Sequence, residues 1–397
     1  MRRDTASASV IADRLRGLGA SPTLALAAKA KALRQAGKPI LDFTAGEPDF
    51  PTPQAIKAAG IRAIENNQTK YTPVAGIQEL RAAIAHHLSQ RLGVEYKPSQ
   101  TIVSCGAKHV LYNALQAICQ PEDEVVVFSP YWVSYLPLVQ LAGAKPVVVE
   151  TREADQCQPD PQAVEAALTA RTKAIILNSP SNPTGMLIDR PRLAALSRLA
   201  LTHQLVIISD EIYDQLVFPP HEASSILQVE PRLAGQTVVV NGVSKTYSMT
   251  GWRIGYAAGP GEIIDAMEAL QSHSTSNPTS ISQHAALVAI TGDQREVATM
   301  RREFQRRRDR LVDGLNQLPG LSCLMPQGAF YAWCNISRLG QPAERIAGRW
   351  LEDALVVAVP GEGFGSSDHI RFSFATSLEV IDEGLARLAR WLDTRQS

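Results

Sequence analysis

The most informative stretch of this chain is Thr237-Val238-Val239-Val240-Asn241-Gly242-Val243-Ser244-Lys245-Thr246-Tyr247-Ser248-Met249-Thr250-Gly251-Trp252-Arg253. Its apolar, β-branched beginning predicts a buried strand, and Lys245 follows directly after that strand. A lysine amine in this position can form a Schiff base with a carbonyl compound, while Ser244 and Arg253 hold a phosphate nearby. A surface lysine in a polar loop is the simpler interpretation of any such pair, so the choice depends on the rest of the chain.

Predicted strands and helices alternate from the first helix to about residue 290. Short β-branched runs predict strands at Ile40–Phe43, Thr101–Val103, Glu124–Phe128, Pro146–Val149, Ala174–Leu177, Leu205–Ser209 and Thr237–Val240. The stretches between them predict helices, among them Ser21–Ala36, Pro53–Ile64, Gly76–Gln90, Lys108–Ile118 and Arg190–Thr202. This alternation is typical of the α/β class, with a mostly parallel sheet covered by helices on both faces.

The final hundred residues have a different pattern. A long polar helix is predicted near residues 293–317, followed by strands at Ala329–Asn335, Val356–Val359 and Ile370–Phe374. These elements predict a smaller α+β domain that the N-terminal segment joins. We therefore expect three parts: residues 1–50 as an N-terminal arm and part of the small domain, 51–295 as the large domain, and 296–397 as the C-terminal small domain.

Composition and charge are those of an ordinary globular protein. Apolar residues make up 45% of the chain, charged residues 20%, and the formal net charge is zero, so nothing predicts a nucleic-acid or acidic-membrane partner. The basic run Arg301–Arg310 includes acidic residues in a helical pattern, which predicts a solvated helix face. Five scattered cysteines without metal-type spacing predict buried thiols in a reducing compartment and no metal site. We expect a cytoplasmic protein, with a short organellar transit segment as the alternative.

Polar and aromatic residues follow the predicted strands at the places where ligands collect in parallel α/β sheets. After the strand Thr101–Val103, Gly106, Ala107 and Lys108 open a helix, whose first N–H groups can bind a phosphate. Many such turns carry glycine only for packing. After the next strand, Trp132 can stack on a planar ring, although aromatics at a strand end usually just pack.

Two further strand ends carry groups that suit a pyridine-type ligand. Asn182 lies in a rigid turn and can donate its amide to a phenolic oxygen on a ring. Asp210 ends a buried strand, where a carboxylate is costly unless it is paired, and a protonated pyridine nitrogen would pair with it. An ordinary helix cap is the alternative for Asp210. Tyr213 follows closely, so these strand ends together supply what a pyridoxal 5′-phosphate site requires.

The chain resembles the class I aminotransferases of pyridoxal-phosphate fold type I, and most of all their bacterial aspartate and prephenate subgroup. The resemblance extends from Ser21 to about Ser377 and includes the motifs Gly46-Glu47-Pro48-Asp49-Phe50, Lys70-Tyr71-Thr72, Ser181-Asn182-Pro183-Thr184-Gly185, Ser209-Asp210-Glu211-Ile212-Tyr213, Ser244–Gly255 and Ile370-Arg371-Phe372-Ser373-Phe374. It implies a large domain with a mostly parallel, seven-stranded sheet between helices and a smaller α+β domain. It also implies a ping-pong aminotransferase that acts on amino acids and 2-oxo acids.

The same resemblance implies roles for individual residues. Lys245 carries pyridoxal 5′-phosphate as an internal aldimine and, once freed, moves the substrate proton; Asp210 keeps the ring nitrogen protonated. Tyr213 and Asn182 bind the ring oxygen, and Trp132 stacks on the ring. The phosphate is held by the residues Gly106, Ala107, Lys108, Ser244 and Arg253, and by Tyr71 of a second subunit. The resemblance therefore implies a homodimer with shared active sites.

Substrate recognition is implied in the same way. Arg371 binds the α-carboxylate as a two-pronged donor, and Gly46 approaches it through its backbone. We expect Lys108, Ser21 and Thr23 to bind the second carboxylate of aspartate, glutamate or prephenate, since the stretch Gln271–Asn277 lacks the arginine that another subgroup uses. A solvated lysine at a helix start is the alternative for Lys108.

Other functions remain open from the sequence. A β-lyase or synthase on the same scaffold, or an aminotransferase for aromatic amino acids, would need Lys245 and Asp210 as well. A cofactor-binding regulator would carry an additional DNA-binding domain, for which we find no room before Ser21. A nicotinamide dehydrogenase is disfavoured because no Gly-x-Gly-x-x-Gly follows an early strand.

Overall fold

A computed structural model describes residues 11–15 and 22–394 of the chain. The strands are β1 (Leu41–Asp42), β2 (Thr101–Ser104), β3 (Glu124–Ser129), β4 (Lys145–Glu150), β5 (Thr172–Asn178), β6 (Val206–Asp210), β7 (Thr237–Gly242), β8 (Gly255–Ala258), β9 (Ser322–Cys323), β10 (Tyr331–Asn335), β11 (Val356–Val357), β12 (Val359–Pro360) and β13 (His369–Ser373). The α-helices are α1 (Pro22–Gln35), α2 (Gln54–Glu65), α3 (Gln78–Leu92), α4 (Ala107–Ile118), α5 (Tyr135–Leu141), α6 (Pro161–Ala167), α7 (Arg190–Thr202), α8 (Ile226–Val229), α9 (Gly261–Ser272), α10 (Ser280–Thr291), α11 (Arg295–Gln317), α12 (Ala343–Arg349) and α13 (Leu378–Asp393).

The central sheet has seven strands in the order β2-β8-β7-β6-β5-β3-β4. The pairs β3/β4, β3/β5, β5/β6 and β6/β7 are parallel, whereas β8 runs antiparallel to both β2 and β7. The α/β class with a mostly parallel sheet is therefore confirmed. β8 is not predictable from local sequence, because Gly-Tyr-Ala-Ala contains no β-branched residue.

Both faces of this sheet are buried. Side chains alternate between the faces of a strand, so Val126 of β3 packs in one apolar cluster while Val125 and Val127 pack in another. In β7 the same division separates Val239 from its two neighbouring valines. Double burial explains why these strands are continuous β-branched runs rather than alternating ones.

The C-terminal strands form a second, antiparallel sheet in the order β12-β13-β10-β9. The long helix α11 packs on β9, β10 and α13 beside it. The N-terminal strand β1 pairs in parallel with β11, Leu41 opposite Val356, so the beginning of the described chain lies against its last part.

One C-terminal strand was predicted wrongly. The run Val356–Val359 was expected as one strand, but it is divided between β11 and β12, which belong to different sheets. β11 pairs with β1 and β12 pairs with β13. The uninterrupted valine-rich sequence contains no signal for this change of partner, since a strand switch depends on neighbours that are distant in sequence.

The sequence predicted that the basic run on α11 is solvated, and this is wrong for two of its arginines. Arg307 and Arg308 are both buried. The Arg307 guanidinium donates to Asp49 at 2.7 Å, and that of Arg308 donates to the Pro326 carbonyl at 2.9 Å while lying over the Phe218 ring. The prediction is wrong for these two residues because their partners come from distant loops.

All five cysteines are free thiols; Cys323 and Cys334 are buried, and the other three are half-buried. Within residues 11–15 and 22–394, no helix has the length and apolar character that a membrane crossing requires.

Candidate active site

A cavity of about 610 Å³ lies at the carboxyl ends of β5, β6 and β7, and residues of β10 and β13 also line it. Most of the predicted site residues line it: Gly46, Ala107, Lys108, Trp132, Asn182, Asp210, Tyr213, Ser244, Lys245, Arg253 and Arg371. Gly106 is the residue just before α4, beside the cavity. Tyr71 is not part of it, and its side chain is 90% exposed. Ser21 and the side chain of Thr23 lie outside the described residues.

Asp210 ends β6, and its carboxylate is buried. The Tyr135 hydroxyl donates to Oδ2 at 2.7 Å, and the Ile212 N–H donates to Oδ1 at 3.3 Å. Burial raises the pKa of Asp210 to about 6, against the lowering effect of these two donors. A cationic N–H facing this carboxylate would offset the cost of burying it, so the site fits a protonated ring nitrogen.

Lys245 follows β7 by three residues, and its amine donates to the Gly46 carbonyl. Burial lowers the pKa of Lys245 to about 8; Glu47 counteracts this shift, and Arg253 adds to it. A substantial share of this amine is therefore neutral near physiological pH, as a nucleophile or base must be.

The turn before α4 has the features of an anion site. Gly106 has φ +88°, and a Cβ there would lie 2.4 Å from the Arg253 guanidinium. Gly255 of β8 approaches this turn so closely that its own Cβ would lie 2.2 Å from the Ala107 nitrogen. The two glycines bring the first N–H groups of α4 together with Arg253, which donates to the Thr250 carbonyl at 2.8 Å. This is a suitable cradle for a phosphate.

Arg371 lies on β13, where it is buried and lines the cavity. Its guanidinium donates to Asn182 Oδ1 at 3.0 Å and to the Thr44 carbonyl at 3.2 Å, and it lies 4.4 Å from the centre of the Tyr331 ring. Its Nε has no hydrogen-bond partner in the described part of the chain. A buried guanidinium without a carboxylate partner suits an anionic substrate group.

Lys108 extends into the cavity from the first turn of α4. Its ammonium lies 4.9 Å from the centre of the Trp132 ring. Burial lowers the pKa of Lys108, and the nearby Arg253 adds to this effect. The pair Lys108 and Trp132 thus combines a cation and a flat ring in one wall.

Some site residues were missed from the sequence. Tyr135 received no role from the sequence, yet its hydroxyl donates to Asp210. Tyr331, whose hydroxyl lies 3.1 Å from that of Tyr213, gave no signal beyond its place in a predicted strand. Glu47 lies in a quoted motif but received no role; it accepts a hydrogen bond from Thr250 at 2.6 Å.

Comparison with known proteins shows the family of the chain. A family model described as aminotransferase class I and II matches residues 38–388. Among curated relatives, the aspartate aminotransferase of Bacillus subtilis (strain 168) is 46% identical over 388 residues, which covers 96% of this chain and 99% of the relative. The aspartate/prephenate aminotransferase of Thermus thermophilus is 45% identical over 382 residues, covering 96% and 98%.

Solved structures show the same similarity. An aspartate aminotransferase from Thermus thermophilus with maleate superimposes with a TM-score of 0.92 at 44% identity, covering 96% of this chain and 99% of that one. The aspartate aminotransferase from Rhizobium meliloti gives a TM-score of 0.93 at 40% identity, covering 96% and 98%.

Proposed function

The chain belongs to the class I and II aminotransferases, and we propose that it moves an amino group between aspartate or glutamate and 2-oxo acids such as 2-oxoglutarate and oxaloacetate. We extend the proposal to the amination of prephenate to arogenate. The observation that supports it most strongly is that one cavity is lined by a lysine of lowered pKa, a buried carboxylate and two further cationic side chains, Lys108 and Arg371.

Membership of this family implies pyridoxal 5′-phosphate as the cofactor, and the residues present fit it. Asp210 would pair with the ring nitrogen, and Tyr213 and Asn182 would hold the ring oxygen. Trp132 would stack on the ring. The phosphate would be held by Gly106, Ala107, Lys108, Ser244 and Arg253. When bound, the cofactor supplies an electron-accepting ring for the charge that develops at the substrate α-carbon.

Lys245 acts as the base in this proposal. Its neutral amine would take the proton from the substrate α-carbon and, once protonated, would give it to the cofactor carbon rather than back to the substrate, as net transfer of the amino group requires. The buried hydroxyls of Tyr213 and Tyr331 adjoin each other, and burial raises the pKa of both, so they remain protonated donors. The backbone of Gly46 would contact the substrate α-carboxylate that Arg371 binds. Holding this carboxylate in place fixes the direction of the substrate Cα–H bond.

Substrate choice rests on the second carboxylate. Arg371 binds the α-carboxylate, and the ammonium of Lys108, which lies over the Trp132 ring and lines the same cavity, binds the distal one. Ser21 and Thr23 are proposed to assist from the N-terminal arm. The names of the relatives support this choice, as does the presence of maleate, a dicarboxylate, in one of the similar structures.

We propose a cytoplasmic homodimer in which Tyr71 of one subunit reaches the phosphate of the other. The outward position of Tyr71 supports this, since the side chain contributes nothing to the cavity of its own subunit. The domain division expected from the sequence, 1–50 with 296–397 and 51–295, is part of the same proposal. The relatives' names do not favour a lyase or an aminotransferase for aromatic amino acids.

Absorbance of the bound cofactor tests the function directly. Aspartate should convert the purified holoenzyme to the pyridoxamine form, and 2-oxoglutarate should reverse the change; reversal by prephenate would establish the arogenate reaction. A holoenzyme whose spectrum neither aspartate nor glutamate changes would refute the proposed specificity.

The role of Lys108 is tested by Lys108→Leu. We expect kcat/KM for aspartate to fall about 10- to 100-fold, the worth of one charge-assisted hydrogen bond, while alanine as donor changes less than about threefold. Lys145→Leu, at an exposed lysine on the edge strand β4, is the matched control. Unchanged activity on aspartate after Lys108→Leu would exclude this residue as the carboxylate ligand.

A further inference from the structure

Tyr71 is presented by the segment that joins α2 to α3, residues 66–77, which we call the Tyr71 loop. The loop contains no helix or strand. Tyr71 points outward from it and is 90% exposed. The helix that leads into it, α2, carries the half-exposed isoleucines Ile61 and Ile64. An outward tyrosine next to exposed apolar side chains is typical of a surface that a second protein covers.

Gln283 of α10 forms hydrogen bonds to the Tyr71 loop, and its side chain is completely buried. Its Oε1 accepts a hydrogen bond from the Ile77 N–H at 2.8 Å. Its Nε2 donates to the Pro278 carbonyl at 2.8 Å and to the Thr72 hydroxyl at 3.0 Å. One buried amide therefore holds the end of the loop and the residue directly after Tyr71.

A second buried glutamine, Gln271 of α9, holds the same loop at another point. Its Nε2 donates to the carbonyls of Val74 at 2.7 Å and Val103 at 2.8 Å, and its Oε1 accepts from Asn113 Nδ2 at 3.1 Å. Both glutamine side chains are fully buried, and the Oε1 and Nε2 atoms of each have hydrogen-bond partners. Buried amides of this kind fix one geometry, because any other arrangement leaves a polar atom without a partner.

We propose that Gln283 and Gln271 are positioning residues that hold the Tyr71 loop ready to deliver the tyrosine hydroxyl to the phosphate site of a second copy of this chain. This inference rests on the proposed function, in which Tyr71 serves the partner's cofactor. A loop already ordered in this geometry binds without first losing conformational freedom. If only a fraction of the loops are ordered, the contribution of Tyr71 to cofactor affinity falls in proportion.

The test is a double-mutant cycle read out as the dissociation constant of pyridoxal phosphate, titrated into the cofactor-free full-length protein. Tyr71→Phe should weaken binding about 10- to 100-fold, the worth of a hydrogen bond to a charged group. Gln283→Met should weaken it about 3- to 10-fold, as expected if the ordered loop falls to about a third or a tenth of the population. In the Tyr71→Phe background, Gln283→Met should have no further effect.

Two other variants make the cycle specific. Thr72→Val removes the same hydrogen bond from the loop side and leaves Gln283 bonded to Pro278 and Ile77; we expect about a threefold loss, even if Gln283→Met folds poorly. Gln236→Met is the matched control, because Gln236 also donates to two backbone carbonyls, those of Ala200 and Leu205, but far from this loop. We expect its cofactor affinity to stay within about twofold of the unmodified protein.

The outcomes separate the two proposals. A loss from Gln283→Met and Thr72→Val that disappears without the Tyr71 hydroxyl supports the inference. An equal loss in both backgrounds, or no loss while Tyr71→Phe is impaired, overturns the inference alone. Normal affinity in Tyr71→Phe would overturn the proposed role of Tyr71 and this inference with it.

Discussion

Removing the hydroxyl of Tyr135 tests how the site keeps Asp210 ionised. In the structure this hydroxyl donates to the carboxylate at 2.7 Å, and both groups are buried. Burial raises the pKa of Asp210 to about 6, and the Tyr135 bond is the largest effect that lowers it. A hydrogen bond to a buried charge is worth roughly 1.5–3 kcal/mol, and one pKa unit corresponds to about 1.36 kcal/mol. Tyr135→Phe should therefore raise the pKa of Asp210 by about one to two units.

The assay is the pH dependence of pyridoxal phosphate binding to the cofactor-free enzyme. Only an ionised Asp210 attracts a protonated ring nitrogen, so the affinity should fall as the pH drops through the Asp210 pKa, near 6. In Tyr135→Phe the midpoint should move up to about 7–8. The cofactor phosphate itself titrates near pH 6, but this contribution is the same for both proteins and cancels in the difference.

Tyr131→Phe is the control, since Tyr131 belongs to the same turn and lies against Gly365 rather than Asp210. Its midpoint should match that of the unmodified protein. A midpoint within about 0.3 units of the original in Tyr135→Phe would show that the hydrogen bond does not stabilise the carboxylate, and the reasoning would fail.

Three further predictions concern the same cavity. Asp210→Asn should abolish transamination but stabilise the cofactor-free protein at pH 8 by about 3 kcal/mol in thermal unfolding. The reason is that Asp210 has a pKa near 6 in the folded state rather than 3.8, so its ionised form lowers the stability of the folded state above pH 6. A lower melting temperature for the variant would contradict this. Modification of Lys245 by an amine reagent in the cofactor-free enzyme should rise with pH around a midpoint near 8, and a midpoint near 10.5 would refute the lowered pKa. Gly106→Ala should weaken cofactor binding more than tenfold by displacing Arg253. The control Gly93→Ala, at φ +70° with open space around it, should leave binding unchanged. Equal affinities of the two variants would argue against a phosphate site at the turn before α4.

Much of the fold followed from the sequence because doubly buried strands leave a local signal. Runs such as Thr237–Val240 and Glu124–Phe128 are continuous and β-branched, and only a sheet covered on both faces requires that. The strand Gly255–Ala258 was not predicted because it lacks β-branched residues, and its Gly255 serves close approach to α4 rather than strand propensity. Local pattern thus identifies strands that fill a core, but not strands shaped by a neighbour.

The candidate site shows the same division. Lys245, Asp210 and Asn182 could be named because each follows a recognisable strand, and parallel strands bring their carboxyl ends to one edge. Tyr135 could not be assigned to Asp210, because their contact depends on the strand order β6-β5-β3, which no local pattern reveals. For the same reason Tyr331, from the other sheet, was not expected beside Tyr213.

The pairing of β1 with β11 determines the order in which parts of the chain can fold during synthesis. Leu41 cannot pair with its partner strand until Val356, 315 residues later, has been synthesised. At a synthesis rate of about 5–20 residues per second, this delay is about 15–60 seconds. The seven-stranded sheet, complete by residue 258, emerges within that interval and can close around its own core first. The second sheet, which contains Arg371, is synthesised after the strands that position Asp210 and Lys245, so the proposed cofactor-binding residues are in place before the proposed ligand of the α-carboxylate.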